Sequence, residues 1–273
     1  MNIKFSIITV CFNSDRTIER TLNSVKNQSY KNYEHIIVDG SSKDNTIQIV
    51  ENYMQENKKV KFISEPDTGI YNAMNKGIKL SSGDLIVFLN SDDTFEKNAL
   101  YEISKNFSEE YDLIYGDTYH IEEYKGEYYE KKVNVDNKNV VKKNEMIPHN
   151  STFVKSDIMK NNLFDENLKI CADYKFFLTM YKKKVRIKYI NFRITNMLMG
   201  GISTTNLELG LKEHIMCQKE VLGKSSINFE EEIKRIKVMQ NKKYLAKKFL
   251  PKKIYIKFRF YKKGWKLSRY DKK

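Results

Sequence analysis

The chain has 273 residues, of which 40% are hydrophobic and 31% are charged, and this composition is typical of a globular protein with a substantial core. No apolar run reaches the roughly 18 to 20 residues that a membrane-spanning helix needs. Three cysteines and four histidines lie too far apart for a disulfide framework or a zinc site. The first predicted strand begins without the cleavage region of a signal peptide, so we expect a cytoplasmic protein.

The net charge of +14 is concentrated at one end of the chain. Residues 242–273 contain fourteen Lys and Arg against one Asp, so this segment carries +13 and the rest of the chain is nearly neutral. The basic character is therefore a property of the C-terminal segment alone.

Residues 1–115 alternate short apolar runs with helical patterns, which is typical of a mainly parallel sheet flanked by helices. In the first helix Ile18, Leu22 and Val25 recur at the spacing of one helical face. The predicted elements in chain order are strand 7–10, helix 18–25, strand 36–38, helix 47–54, strand 60–63, helix 69–80 and strand 85–89.

The pattern changes after residue 93. A helix is predicted over 96–107, a strand over 113–117, and an antiparallel ribbon or a mobile loop over 118–135. A strand over 151–154, a helix over 171–182 and one or two strands over 186–198 follow. Helical periodicity resumes at 207 and is broken by Pro251. We expect an α/β domain over 1–205, with halves 1–115 and 116–205, and a helical, basic, aromatic-rich extension over 206–273.

Aspartates follow three of the first four strands: Asp39, Asp67 and the pair Asp92–Asp93. Open α/β sheets bind ligands at the carboxyl ends of their strands, and carboxylates suit Mg²⁺ or Mn²⁺ shared with substrate phosphates. Neither GxGxxG nor GxxxxGK[ST] occurs, so dinucleotide and P-loop sites are not indicated. The residues favour a nucleoside-diphosphate ligand with a divalent metal.

Several segments together resemble family 2 glycosyltransferases of the GT-A fold, closest to the bacterial enzymes that build O-antigen, capsule and exopolysaccharide units. The resemblance covers residues 1 to about 205. It is carried by TVCFN (9–13), VDGSS (38–42), DTGIYNAMNKG (67–77), GD (83–84) and NSDD (90–93).

This resemblance implies an inverting transfer from a nucleotide sugar, with UDP favoured over GDP and dTDP, to a lipid-linked or saccharide acceptor. Residues 90–93 occupy the DxD position of the family, with Asn in place of the first Asp. We expect Asp93 to bind the Mn²⁺ or Mg²⁺ and Asp92 to contact either the ribose or the metal. The expected nucleotide-sugar contacts are Thr9, Phe12, Asn13, Asp39, Asp67, Asn72 and Asn75, although the last two could instead serve helix packing.

The resemblance also implies a general base, which inversion requires near the acceptor hydroxyl. Asp173, at the start of the helix predicted over 171–182, matches the family's position for it. His149, in a segment resembling Pro-His-Gln, and Gly201 and Ser203, in a Gly-Gly-Ile-Ser loop, are candidates for acceptor or diphosphate contacts.

The basic tail interleaves aromatic residues with lysines, which suits the interface of an anionic membrane. Peripheral association with the inner face of the plasma membrane through 242–273 is the favoured interpretation, packing on the domain is the alternative, and nucleic-acid binding is not expected. Two other functions stay open: a sugar nucleotidyltransferase, for which 13–16 lacks a Gly-rich basic phosphate loop, and a non-enzymatic membrane- or nucleic-acid-binding module.

Overall fold

A computed structural model of the protein describes residues 2–133, 146–201, 205–268 and 270. The elements in chain order are β1 (Phe5–Cys11), α1 (Ile18–Lys26), β2 (Tyr33–Asp39), α2 (Thr46–Glu56), β3 (Val60–Ser64), α3 (Ile70–Leu80), β4 (Leu85–Phe88), β5 (Thr94–Phe95), α4 (Ala99–Asn106), β6 (Leu113–Tyr124), β7 (Glu127–Lys132), β8 (Thr152–Lys155), α5 (Ser156–Lys160), α6 (Ala172–Lys182), β9 (Ile187–Leu198), α7 (Leu207–Leu222), α8 (Phe229–Phe249), α9 (Lys252–Arg259) and β10 (Lys266–Leu267).

The first half of the sheet is parallel, with the order β3-β2-β1-β4. Every residue of β1, β2 and β4 is buried, because helices cover both faces of the sheet. Cys11, the last residue of β1, pairs with Asp39, the last residue of β2. The carboxyl ends of these strands therefore meet at one edge, which gathers the polar residues that follow them.

The second half of the sheet is mixed. β8 lies between β4 and β6 and is antiparallel to both, while β9 runs parallel to β6 and antiparallel to β5. The pairing of Thr94 with Asn196 brings the turn after β4 beside the end of β9. The end of β9, about a hundred residues later in the chain, thus completes the same sheet edge.

The predicted GT-A-like α/β fold is confirmed, including the buried positions Ile18, Leu22 and Val25 on α1. Residues 118–132 form an antiparallel hairpin, the first of the two alternatives, and positions 134–135 lie outside the described residues. Residues 187–198 form one strand. The short elements β5 and α5 were not predicted from the sequence.

The C-terminal helices differ in how they pack. Cys217 and Val221 of α7 belong to the same buried cluster as Phe177 and Leu178 of α6, whereas Ile233 is the one residue of α8 that is buried. Within the described part of the chain, no helix combines the length and the apolar character needed to cross a membrane.

The end of the tail folds back onto the β6–β7 hairpin. β10 adds to the sheet by pairing with β7, and a separate aromatic cluster lies beneath it. The cluster consists of Tyr124, Tyr129, Tyr255, Phe260 and Trp265, all of them buried. Part of the aromatic content of the tail therefore serves to dock it on the domain.

Candidate active site at the carboxyl edge of the sheet

One cavity of about 980 Å³ opens at the carboxyl edge of the sheet. The turn after β1, the start of α3, the turn after β4, the start of α6 and the end of β9 all contribute to its walls. Eight of the residues predicted from the sequence line it: Phe12, Asn13, Asp67, Asp92, Asp93, His149, Asp173 and Gly201.

The other predicted site residues lie elsewhere. Thr9, Asp39, Asn72 and Asn75 are outside the lining of this cavity, and Ser203 lies outside the described residues.

Thr9 and Asp39 are fully buried. The Thr9 hydroxyl donates to the Leu89 carbonyl oxygen at 2.7 Å, which fastens β1 to the end of β4. The Asp39 carboxylate accepts from the Ser42 backbone N–H at 3.0 Å and from the Ser64 hydroxyl at 2.7 Å. In this structure both side chains order the turns that carry the lining residues.

The turn after β2 passes close to the cavity at Gly40. A Cβ added at Gly40 would lie 2.5 Å from Oδ2 of Asp67 and 3.4 Å from the Phe12 ring. Any larger residue at position 40 would thus displace a carboxylate that lines the cavity.

Asn72 and Asn75 connect α3 to the loop that leads towards α6. The Nδ2 groups of both donate to the Glu166 carboxylate at 2.8 Å, and Asn75 Nδ2 also donates to the Phe164 carbonyl oxygen at 2.9 Å. Two roles were predicted for these asparagines, contact with the nucleotide sugar and helix packing. The contacts of their side-chain amides in the structure correspond to helix packing.

Asp93 is 2% exposed, and its carboxylate accepts from Asn150 Nδ2 at 2.8 Å and from the Leu198 N–H at 3.3 Å. Burial, followed by the charge of Asp92, raises the pKa of Asp93 to about 8. Asp92 is less deeply buried, faces Gly201, and has its pKa raised chiefly by its own burial. Two adjacent carboxylate anions carry a free-energy cost when they are buried in this way.

The same turn has an oxygen atom with no partner. Oδ1 of Asn90 is buried and accepts no hydrogen bond from the described residues. Together with the carboxylates of Asp92 and Asp93, it makes a set of hard oxygen donors within four consecutive residues, which is the chemistry that Mg²⁺ and Mn²⁺ prefer. These residues fit a divalent cation.

Asp173 lies in the first turn of α6 and is 7% exposed. Its Oδ1 accepts from the Tyr174 N–H at 2.8 Å and lies 3.1 Å from the Tyr71 hydroxyl, while its Oδ2 lies 2.9 Å from His149 Nδ1. The carboxylate is therefore held at both oxygens while it lines the cavity.

His149 links this carboxylate to the Asp92–Asp93 turn, since its Nε2 lies 3.4 Å from Asn90 Nδ2. Burial alone lowers the pKa of His149. The hydrogen bond and charge of Asp173, with the charges of Asp93 and Asp92, outweigh burial and raise that pKa above its ordinary value.

Sequence reasoning missed several residues of this site. Asn150 binds Asp93, and Lys169 lines the cavity with its Nζ 3.3 Å from the Thr68 carbonyl oxygen. Met197, Leu198 and Met199 add a wall from the end of β9. Asn150 lies in the segment that resembles Pro-His-Gln, but its own role was not predicted. No local signal marks the other residues, because a lysine is common in a chain with 49 Lys and Arg and the wall depends on strand pairing.

Comparison with curated proteins finds relatives that are glycosyltransferases. A Campylobacter jejuni GalNAc(5)-diNAcBac-PP-undecaprenol beta-1,3-glucosyltransferase is 26% identical over 200 residues, which is 70% of this chain and 64% of that protein. An uncharacterised glycosyltransferase of Mycobacterium tuberculosis is 43% identical over 91 residues, 33% of this chain and 34% of the relative. The matches thus span between one third and two thirds of these relatives.

Solved structures share the fold at low identity. TarS of Staphylococcus aureus (residues 1–349) in complex with UDP superposes with a TM-score of 0.63 at 20% identity, covering 84% of this chain and 68% of the 1–349 fragment. A mannosyltransferase from Pyrobaculum calidifontis in complex with GDP-Man and Mn²⁺ gives 0.63 at 13% identity, covering 82% and 65%.

The family model of glycosyl transferase family 2 matches residues 6–190. This range is more than half of the chain, and it contains the strands, the turns and the first part of α6 from which most of the cavity is built. The chain belongs to glycosyl transferase family 2.

Proposed function

We propose that this glycosyltransferase is inverting and depends on a divalent metal. Its donor would be a nucleoside-diphosphate sugar, and its acceptor a hydroxyl group of a lipid-linked saccharide in the synthesis of a bacterial surface polysaccharide. The observation that carries the proposal is the presence of Asp173 and the Asp92–Asp93 turn in the walls of one cavity, joined by His149.

Asp92 and Asp93 would hold Mn²⁺ or Mg²⁺, with Asn90 Oδ1 as a further oxygen donor. Asp92 is the better exposed of the two carboxylates, and the Asn150 side chain fixes Asp93. When bound, such a cation neutralises charge on a departing diphosphate. The raised pKa values of both aspartates support this assignment, because burial destabilises their anions and a bound cation would stabilise them.

Asp173 would act as the general base. Its carboxylate takes the proton of the acceptor hydroxyl, whose oxygen attacks the anomeric carbon from the side opposite the diphosphate. The bond from that carbon to the diphosphate oxygen breaks as the new glycosidic bond forms, so an α-linked donor gives a β-linked product. His149 and Tyr71 orient the carboxylate through the contacts already described.

The nucleotide is proposed to be UDP, with GDP and dTDP as alternatives. Solved neighbours hold UDP, UDP-GlcNAc or GDP-Man. The Campylobacter jejuni relative is named for an undecaprenol-linked saccharide, which supports a lipid-linked acceptor here. The family match favours a transferase over both a nucleotidyltransferase and a non-enzymatic binding module.

We also infer a cytoplasmic enzyme that associates peripherally with the inner face of the plasma membrane. Beside the docked aromatic cluster, the tail exposes Tyr244, Phe249, Ile254, Phe258 and Tyr261 among its lysines. Apolar side chains flanked by positive charge suit an anionic bilayer surface. No role for nucleic acid is proposed.

Calorimetric titration with UDP, GDP and dTDP, each with and without Mn²⁺, tests the proposal. We expect one nucleotide to bind only with the metal, and Asp92→Asn or Asp93→Asn to weaken it by about tenfold or more, since each removes a charge-assisted metal contact. Asp157→Asn, an exposed aspartate on α5, is the matched control and should bind as the wild type does. Binding that is equal in all three variants would overturn the assignment.

A further inference from the structure

A buried glutamate outside the lining of the cavity holds the segment that precedes Asp173. Glu213, on α7, is 6% exposed. Its Oε1 accepts from the Lys169 N–H at 2.8 Å, and its Oε2 accepts from the N–H groups of Ile170 and Cys171 at 2.8 and 2.9 Å. Three successive backbone donors thus converge on one carboxylate.

These donors need a partner for a physical reason. Residues 169–171 lead directly into α6, and Cys171, the N-cap of that helix, has no side-chain capping bond. Backbone N–H groups at the start of a helix lack internal acceptors, and the helix dipole favours a negative charge there. Glu213 supplies an acceptor for the N–H of the N-cap residue Cys171 and a negative charge near the start of α6. Its contacts with Lys169 and Ile170 hold the two loop residues that precede the helix.

Other residues of α7 contact the same segment. The Cys171 thiol donates to the Gly210 carbonyl oxygen at 3.4 Å, and Gln218 Nε2 donates to the Tyr174 hydroxyl at 3.0 Å. The His214 ring packs on Tyr174 with 3.7 Å between ring centroids. One helix therefore holds the chain on both sides of Asp173.

The held segment also touches the cavity. Lys169, Ile170 and Asp173 line it, and the Ile170 carbonyl oxygen accepts from the Tyr71 hydroxyl at 2.5 Å, the same hydroxyl that lies beside Asp173. A shift of residues 169–171 would move both Asp173 and its neighbour Tyr71.

We propose that Glu213 is a positioning residue for the transfer reaction, holding residues 169–171 so that the Asp173 carboxylate faces the acceptor. This inference rests on the proposed function. The Asp92–Asp93 turn is held by other residues, namely Asn150 and the end of β9. Loss of Glu213 is therefore expected to slow the reaction without weakening the binding of the metal or the nucleotide.

Hydrolysis of UDP-glucose and UDP-GlcNAc in the presence of Mn²⁺, followed as UDP release, is the test on the full chain. In Glu213→Gln one carboxylate oxygen, an acceptor, is replaced by an NH₂ group, which is a donor. At least one backbone N–H of residues 169–171 then loses its acceptor. We expect kcat to fall by about 10- to 100-fold, the cost of a misplaced catalytic group, while the Kd of UDP with Mn²⁺ changes by less than about twofold. Glu213→Asp keeps the negative charge, and its kcat should lie between those of the wild type and Glu213→Gln.

Glu208→Gln is the matched control, since Glu208 lies on the same helix, is exposed and pairs with Lys212 at 3.0 Å. It should keep the wild-type kcat. Equal losses of kcat and nucleotide affinity in Glu213→Gln, or no loss at all, would overturn the inference. If the wild type hydrolyses neither donor and binds no nucleotide, the proposed function fails and this inference falls with it.

Amide hydrogen exchange on the wild type gives a second readout that needs no variant. The amides of Lys169, Ile170 and Cys171 should exchange slowly, because each donates to a buried carboxylate. Rapid exchange of all three amides would contradict the proposed role of Glu213, even if the Glu213→Gln variant did not fold.

Discussion

Asp93 combines a carboxyl group, near-complete burial and a second carboxylate next to it in the chain. In the unfolded chain this carboxyl ionises near its ordinary pKa of 3.8, whereas in the folded protein its pKa is about 8. Between these values the folded state binds more protons than the unfolded state. The contribution of Asp93 to folding stability therefore falls as the pH rises through this window, and a bound cation should reverse the loss.

Thermal unfolding in EDTA and in Mn²⁺ tests this sign. Without metal, the wild type should lose at least about 1 kcal/mol of unfolding free energy relative to Asp93→Asn from about pH 4 to pH 8, or roughly 2 to 4 °C in Tm. The comparison with the variant is needed because burial lowers the pKa values of His35 and His214, which makes stability rise with pH in both proteins. Mn²⁺ at pH 8 should restore it. Asp93→Asn should also gain little stability from Mn²⁺, and equal changes of stability with pH in the two proteins would contradict the raised pKa of Asp93.

Gly40 shows how one absent Cβ shapes the site. In Gly40→Ala the new methyl carbon would start 2.5 Å from Asp67 Oδ2, so Asp67 has to move. We expect a nucleotide affinity lower by about tenfold, comparable to the loss of one hydrogen bond to a charged group. Titration with the preferred nucleotide measures it.

Gly210→Ala is the control for that change. Its Cβ would meet Ile170 Cγ2 at 3.6 Å, an ordinary contact, and it lies within a helix, where alanine is favoured. Wild-type affinity in Gly40→Ala would mean that Asp67 does not contact the nucleotide.

At the scale of elements, strand pairing and packing decide which side chains meet. β9 pairs with β5 and β6, which delivers the Leu198 N–H to Asp93, and α7 delivers Glu213 to the start of α6. The β6–β7 hairpin has a similar role for the tail, because the Phe260 ring stacks on Tyr129 with 4.0 Å between ring centroids.

Removal of that stacked ring should release the tail locally. Phe260 is fully buried, so Phe260→Ala should cost about 3 to 5 kcal/mol of local or global stability. Trp265, the single tryptophan, lies 5.8 Å from Phe260 between ring centroids and reports the change directly. Its fluorescence emission should shift to longer wavelength as it meets water.

Phe258→Ala provides the comparison, since Phe258 lies two residues away and is 45% exposed. Emission from Trp265 should stay as in the wild type. An unchanged spectrum in Phe260→Ala as well would mean that the aromatic cluster does not hold the tail.

At the scale of the whole molecule, charge and exposed apolar area are unevenly distributed. The nearly neutral α/β body carries the cavity, and the basic tail carries exposed Phe249 and Phe258. Docking through Tyr255, Phe260 and Trp265 leaves these other side chains free to meet a second surface.

Co-sedimentation with lipid vesicles measures whether the tail binds a membrane surface. We expect binding to phosphatidylglycerol-containing vesicles, little binding to pure phosphatidylcholine, and weakening with added salt. Phe249→Ala with Phe258→Ala should reduce the binding constant about tenfold, because two apolar side chains no longer enter the interface. Tyr101→Ala, an exposed aromatic on α4, should bind as the wild type does. Equal binding to both vesicle types would argue against an anionic surface.

The sequence by itself determined the strand–helix alternation of residues 1–115 and the family. It also located eight of the cavity-lining residues, because motifs at strand ends and helix starts are local and parallel strands bring their carboxyl ends together.

The tertiary structure alone decided the contacts between distant segments. Asn150 with Asp93, His149 with Asp173 and Glu213 with residues 169–171 each join separate elements. The tertiary structure also decided that Phe260 is buried whereas Phe258, two residues earlier in the same basic segment, is exposed. Composition and periodicity cannot encode such pairs, since they arise from strand order, register and helix packing.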